Sequence, residues 1–381
     1  MTTPFEEATT TGAPDAPRLR VLYVTPRYPP DVGGVERHVW EVARRVARRG
    51  CDVTVLCTDR TGARVGTQCS DGVRVRRVRA WSRRRDYYFA PGVWRAMRRE
   101  RFDIVHVQSY HTFVAPIAML SAIHTVTPFV LTFHGGGHSS RRRHELRHLQ
   151  RRALGPLLRR AARLIAVARF EISDYGNELR MPADRFVLIP NGLDVPSVAP
   201  TSVSEGGTVL ATIGRLERYK GHHRVIEAMP YLLEQMPDAM LWVVGVGPDA
   251  DRLRARAREL RVDDHVEFRS VPSDDPQAMI ELTRRTDIVV NLSDFETHPI
   301  SALEAAAAGR RLLVADTSGL RELAQTGLAS AIELDATPRH IAEAIVRELE
   351  RPLPTRAPEL PTWDDCADRL VALYQEVVCA S

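Results

Sequence analysis

Short apolar, β-branched runs recur along this chain with helix-patterned segments between them, in two separate blocks. That alternation restricts the fold more than any other feature. Strand–helix–strand repeats close into parallel sheets with helices on both faces. The first block opens with a strand at 19–24 and the loop Arg27-Tyr28-Pro29-Pro30-Asp31-Val32-Gly33-Gly34. Val35, Val39, Val42, Val46 and Ala47 then fall at helical spacing over 35–49, and Gly50 stops the helix. A second strand at 52–57 completes a β-loop-α-β unit, the start of a Rossmann-like half. Further strands are expected at 73–79, 104–107, 129–132, 164–167 and 186–189. Residues 195–207 are rich in Pro, Ser and Gly and read as a linker. The pattern then restarts with strands at 209–213, 240–244, 266–268, 288–292 and 311–315, with helices such as 222–235 and 251–260 between them. A last helix spans 363–378.

The chain thus divides into a disordered leader (1–17), an N-terminal Rossmann-like domain (18–194), a linker (195–207), a second Rossmann-like domain (208–360) and a C-terminal segment (361–381). With 381 residues, two cores are the default. No apolar run approaches the roughly 20 residues that span a bilayer. Glu6 and Glu7 stand where a signal peptide carries positive charge, so the protein is expected in the cytoplasm. Cys51, Cys57, Cys69, Cys366 and Cys379 show no paired metal spacing and read as reduced thiols. A net charge of +5 points to an anionic partner without choosing one.

Among the 53 basic residues, Lys220 alone is a lysine. Arginine replaces lysine freely on a solvated surface, but not where a compact, flexible ammonium must reach a particular oxygen. Lys220 follows the strand 209–213 in Gly214-Arg215-Leu216-Glu217-Arg218-Tyr219-Lys220-Gly221, a turn carrying Arg215 and Lys220 before a helix. That reads as an anion cradle. Gly33 and Gly34 leave open amides at the start of the first helix, a weaker signal of the same kind. Glu296 and Glu304 form an E-x7-E pair running from the loop after strand 288–292 into a helix. Each carboxylate oxygen can accept two hydrogen bonds, which suits sugar and ribose hydroxyls, and amides from Thr297 to Ile300 lie at that helix's N-terminus. His134 follows the strand 129–132 and precedes Gly135-Gly136-Gly137. It reads as a cleft residue able to donate to a substrate hydroxyl or carbonyl.

Arg141, Arg142, Arg143, Arg147, Arg151, Arg152, Arg159, Arg160 and Arg163 alternate with Leu146, Leu149, Leu154, Leu157 and Leu158. Such a basic amphipathic helix can lie on an anionic membrane. The same pattern fits a solvated Arg-rich face whose leucines pack inward. Nucleic acid is not expected as a partner: no reading element or aromatic platform accompanies the charge.

In order, Gly33-Gly34-Val35-Glu36, His134 with its glycines, Ile189-Pro190-Asn191-Gly192, Gly214-Arg215-Leu216 through Lys220-Gly221, Gly245-Val246-Gly247-Pro248 and the Glu296/Glu304 pair resemble the retaining glycosyltransferases of family 4. The resemblance implies the GT-B fold, two doubly wound domains facing a cleft, with the C-terminal helix crossing back to the N-terminal domain. It implies a nucleotide-diphosphate sugar donor, a hydroxyl acceptor, no cofactor and no metal. Arg215 and Lys220 would hold the diphosphate, with help from Gly33 and Gly34. Glu296 would hold the donor sugar, Glu304 the ribose, and His134 would face the reaction centre. The family loop usually reads Glu-Gly-Phe-Gly. Here it is Glu296-Thr297-His298-Pro299, so one amide is lost at Pro299 while His298 and Ile300 remain as donor-loop contacts. A serine common after the strand 164–167 is replaced by Ala168-Arg169. A nucleotide-sugar epimerase, a sugar phosphorylase and a non-catalytic sugar-nucleotide scaffold share this architecture. A pyridoxal-phosphate phosphorylase would need a lysine besides Lys220.

Overall fold

The computed structural model describes residues 18–31, 33–81, 89–135, 141–194, 207–272, 275–352 and 358–381, with side chains from 149 onward within the helix 141–158. The leader and nearly all of the linker lie outside the described residues.

Two sheets form. The first contains β1 (Arg20–Val24), β2 (Asp52–Asp59), β3 (Gly66–Ser70), β4 (Val73–Arg79), β5 (Ile104–Gln108), β6 (Phe129–Thr132), β7 (Arg163–Ala166) and β8 (Phe186–Leu188), in the order β3-β4-β2-β1-β5-β6-β7-β8. All its pairs are parallel except β3 with β4. The second contains β9 (Val209–Ile213), β10 (Met240–Val244), β11 (Val266–Arg269), β12 (Ile288–Asn291), β13 (Arg311–Ala315) and β14 (Ser330–Ile332), ordered β11-β10-β9-β12-β13-β14 and parallel throughout. Every strand expected from the sequence appears, shifted by no more than two residues at an end. β3 and β14 had no signal. β3 is Gly-Thr-Gln-Cys-Ser, exposed at all five positions, so no apolar period marks it. β14 is only three residues long.

Helices α1 (Gly34–Arg48), α2 (Gly92–Arg99), α3 (Val114–His124), α4 (Arg141–Leu158) and α5 (Arg169–Leu179) accompany the first sheet. Helices α6 (His222–Leu233), α7 (Ala250–Glu259), α8 (Pro276–Arg284), α9 (Ile300–Ala307), α10 (Ser318–Gln325) and α11 (Pro338–Glu350) accompany the second. The inner strands are largely apolar because both faces are covered, whereas β4, Val-Arg-Val-Arg-Arg-Val-Arg beside the edge strand, alternates. Chain direction reverses beside β1, between β2 and β5, and beside β9, between β10 and β12. The crevices beyond the carboxyl ends of those strands are where open α/β sheets bind ligands.

The last helix, α12 (Trp363–Cys379), packs on α1 of the first domain. Thr362 and Asp365 close a capping box at its start. It buries Trp363, Cys366, Leu370, Leu373, Tyr374 and Val377, each large apolar side chain worth roughly 1.5–3 kcal/mol. The Tyr374 hydroxyl meets Tyr23 at 2.8 Å and His106 Nδ1 at 2.6 Å. Gly192 explains the Asn191-Gly192 junction: a Cβ there would lie 2.1 Å from the Trp363 amide nitrogen. Only glycine lets the two segments pass so closely.

The later part of the basic segment packs three of its leucines inward. Leu154 and Leu158 are in the core and Leu157 packs against it, leaving Leu149 exposed. Arg151 pairs with Glu178 at 2.5 Å, Arg159 donates to the Leu179 carbonyl and Arg163 to Glu376. The side chains of Arg141, Arg142, Arg143, Leu146 and Arg147 lie outside the described residues. Among the described residues no helix is long and apolar enough to cross a membrane.

Candidate active site

The second domain builds its half of the cleft with glycines. After β9, Gly214 adopts φ 155°, and a Cβ on neighbouring Gly245 would sit 1.9 Å from the Gly214 carbonyl oxygen. The Arg215 loop is held from below by His222, whose Nδ1 meets Thr212 Oγ1 at 2.9 Å and whose Nε2 meets the Arg215 carbonyl at 3.1 Å. A short 3-10 turn, Arg218–Lys220, ends at Gly221, where φ is 74° and a Cβ would fall 1.9 Å from the Leu292 carbonyl. That close approach sets Lys220 against the loop after β12.

Lys220 Nζ donates to Glu296 Oε1 at 2.5 Å. The Ser293 hydroxyl lies 2.9 Å from the same carboxylate oxygen. The Glu296 loop is clamped to the start of α10: its amide donates to Ser318 Oγ at 2.9 Å and its carbonyl accepts from the Gly319 amide at 2.9 Å. Burial pulls the Lys220 pKa down, but Glu296, Tyr219 and Glu217 outweigh it, and the net shift is upward. Lys220 is therefore a firmly held ammonium beyond the carboxyl ends of β9 and β12. Arg215 stands apart at the rim, half exposed and paired with Glu217 at 2.9 Å. Glu304 is buried on α9 and meets Arg37 Nη1, from α1 of the other domain, at 2.9 Å. Burial raises its pKa, opposed by the Arg37 charge.

The first domain supplies a different chemistry. Gly33 precedes α1, and Glu36 folds back over it to pair with Arg27 at 2.7 Å; a Cβ on Gly33 would meet the Glu36 carboxylate at 2.2 Å. Gly34 opens the helix with space around its Cα. His134 is buried with φ 47°, and its Nε2 lies 2.6 Å from Gln108 Oε1. His38, on α1, stacks edge-on to His134 with ring centroids 4.5 Å apart and binds Asn191 Oδ1 at 2.8 Å. Burial, then repulsion from His38, His106 and His111, holds His134 well below the usual histidine range, and burial takes His38 to about 4. The imidazoles here are neutral.

Across the cleft the loop after β12 touches the first domain directly. Thr297 Oγ1 donates to the Gly135 carbonyl, and Asn191 Nδ2 donates to the His298 carbonyl at 3.4 Å. Burial lowers the His298 pKa to about 4. Pro299 caps α9 with φ −75°, a value proline adopts readily, and Ile300 starts the helix while packing against the cores of both domains. Glu322 of α10 accepts from the amides of Arg169 (3.0 Å) and Phe170 (2.5 Å) at the start of α5. Gly136, Gly137 and His138 lie outside the described residues.

Several participants had escaped the sequence reading. His38, Arg37, Gln108, Glu171 and Glu322 sit on helices or strand ends with no motif of their own. Glu171 accepts from the Val167 amide at 2.9 Å and the Gly135 amide at 3.3 Å, and burial raises its pKa to about 7. A polar residue at the last position of a buried strand, as with Gln108, was the one usable sign. Among the described residues no cluster of three metal-binding side chains occurs.

Residues 32–196 match Glycosyltransferase Family 4, and residues 198–358 match Glycosyl transferases group 1. A glycogen synthase of Mycobacterium tuberculosis is 30% identical over 346 residues, covering 82% of each chain. A GDP-mannose:cellobiosyl-diphosphopolyprenol alpha-mannosyltransferase of Komagataeibacter xylinus is 25% identical over 379 residues, covering 94% of each. The solved structure of Anabaena Alr3699/HepE in complex with UDP shares the fold at TM-score 0.70 and 18% identity, over 95% of this chain and 99% of that one. The chain belongs to the family 4, group 1 glycosyltransferases, and its two parallel-sheet domains have the GT-B arrangement.

Proposed function

We propose that this glycosyltransferase moves a hexosyl group from a UDP- or GDP-sugar to a hydroxyl acceptor, with retention at the anomeric carbon and without a metal. The acceptor would belong to a cell-envelope glycan, a glycolipid or a natural product. One observation carries the reading: the Lys220–Glu296 pair, 2.5 Å apart, beyond the carboxyl ends of β9 and β12. An arriving diphosphate exchanges partners within it. Lys220, already an ammonium, turns to the phosphate oxygens with Arg215 from the rim. Glu296 is released to accept from donor-sugar hydroxyls. The cations, and the amides at Gly33 and Gly34 once Glu36 swings off Gly33, would stabilise charge on the leaving oxygen, the role a metal plays elsewhere. Glu304 would exchange Arg37 for the ribose, and His134 would face the sugar from the other domain. Two of the proteins compared carry GDP-mannose and UDP in their names, which supports a nucleotide-sugar donor.

Calorimetry with UDP, GDP and their sugar conjugates, with and without EDTA, tests this. Binding of one nucleotide family, indifferent to EDTA and lost in Lys220→Ala, is expected. No binding to any of them would return the chain to the scaffold reading. Proton NMR of the product's anomeric signal checks retention.

A further inference from the structure

We propose that Gln108 is a positioning residue for the transfer reaction: its side-chain oxygen accepts a hydrogen bond from His134 Nε2–H, which keeps the ring proton there and leaves Nδ1 as a hydrogen-bond acceptor. The inference rests on the transferase reading above for its functional half, and on the geometry alone for the tautomer.

Gln108 is the last residue of β5 and 1% exposed, with its Oε1 2.6 Å from His134 Nε2. Its own Nε2 has no hydrogen-bond partner among the described residues, so its contact with His134 is the one its amide makes. A neutral imidazole carries one proton, and the group bonded to one ring nitrogen decides which nitrogen holds it. A carboxylate would do this too, but it would also draw the ring towards the charged form. An amide sets the tautomer without charge.

The surroundings keep the ring neutral and in place. Among the described residues His38 on α1, His106 on β5 and His111 after β5 face the ring from its own domain, and His298, in the loop between β12 and α9, faces His38 from the other domain. Glu171 on α5 directs its oxygens to the Val167 and Gly135 amides. His111 Nε2 donates to the His134 carbonyl at 3.2 Å, which helps hold the left-handed backbone. The consequence reverses the expectation drawn from sequence. With Nε2 occupied, the ring does not donate to substrate; a substrate hydroxyl donates to Nδ1. A donor sugar lacking that hydroxyl, or carrying fluorine there, is a poor substrate.

The direct test is ¹⁵N NMR of the full chain with labelled histidine, the His134 signals being assigned by their loss in His134→Asn. A protonated Nε2 and a pyridine-like Nδ1, unchanged across neutral pH, are expected. A protonated Nδ1 would overturn the assignment. Gln108→Leu should lower kcat about tenfold, the worth of one hydrogen bond, with the donor KM nearly unchanged. Gln108→Glu should raise the His134 pKa. Its kcat then gains a limb that rises with pH as the ring loses its extra proton, a limb wild type lacks. A flat profile in Gln108→Glu would show a merely structural contact and overturn the proposal. Wild-type protein that binds no nucleotide would sink the transferase reading while leaving the tautomer result standing.

Discussion

The two walls of the cleft solve the same problem with opposite electrostatics. The second domain's wall is ionic: an ammonium and a carboxylate, Lys220 and Glu296, held 2.5 Å apart, with Arg215 at the rim. On the first domain's wall the patch around His134 is neutral: His38, His134, Gln108 and Asn191 are buried and joined by amide and imidazole hydrogen bonds, with the charges of Arg37 and Glu36 set apart on α1. A charged wall can bind an anion strongly and release a carboxylate to do other work. A neutral wall can orient hydroxyls at fixed positions without competing for the diphosphate. The contrast predicts that damage to the ionic wall abolishes turnover, whereas damage to the neutral wall changes rate and pH dependence in smaller steps.

The largest effect should come from Lys220→Ala. On the proposed reading it removes the ammonium that would meet the leaving diphosphate, and kcat should fall by about 10³-fold with an unchanged circular dichroism spectrum. A loss of only a few-fold would erase the distinction between the walls. Gly192→Val tests the seam that fixes them relative to each other. Its Cβ would fall 2.1 Å from the Trp363 amide, so stability in urea should drop by roughly 3 kcal/mol as α12 is pushed off α1. Glu296→Gln separates the partners within the ionic wall. Turnover should fall about 10- to 100-fold while nucleoside diphosphate affinity stays within about threefold, because the sugar contact is lost and the cation remains. Equal losses of both would contradict the assigned division of labour.

A further effect is on stability as a function of pH. Burial depresses His38, His298 and His222 from 6.5 to about 4 each. Between those values the unfolded chain binds more protons than the folded one. Stability should therefore be fully present above about pH 6.5 and fall as the pH drops towards 4. Glu171 opposes this. Its pKa rises from 4.5 to about 7, so its contribution is complete below 4.5 and is lost as pH climbs through 7. Urea midpoints measured from pH 7 to 4 should fall, and the fall should steepen when Glu171→Gln removes the opposing term. A midpoint that rises on acidification would show that the histidine wall is not buried.

How legible each wall was in the sequence follows from how local it is. Lys220, Glu296 and Glu304 lie in or beside loops after strands, within segments that carry their own glycine punctuation. Gly221 and Gly245 report close backbone approaches that no larger residue allows, so the motif itself announces the geometry. His38, Gln108 and Asn191 come from a helix, a strand end and the domain junction, far apart in sequence. Nothing local links them. The basic segment shows the limit from the other side: its amphipathic pattern suited a membrane face as well as a core face. Packing of Leu154 and Leu158 and the pairing of Arg151 with Glu178 decided for the core over the described half.

Two doubly wound domains and the placing of Lys220 and Glu296 in loops beyond strands follow from periodicity and glycine placement, because those are local restraints repeated along the chain. The partners of that pair, the pairing of Glu304 with Arg37, the return of α12 to α1 and the protonation pattern of His134 depend on residues tens to hundreds of positions apart. Such contacts are settled by how two rigid layers meet, and burial then sets the charge state of whatever is caught between them.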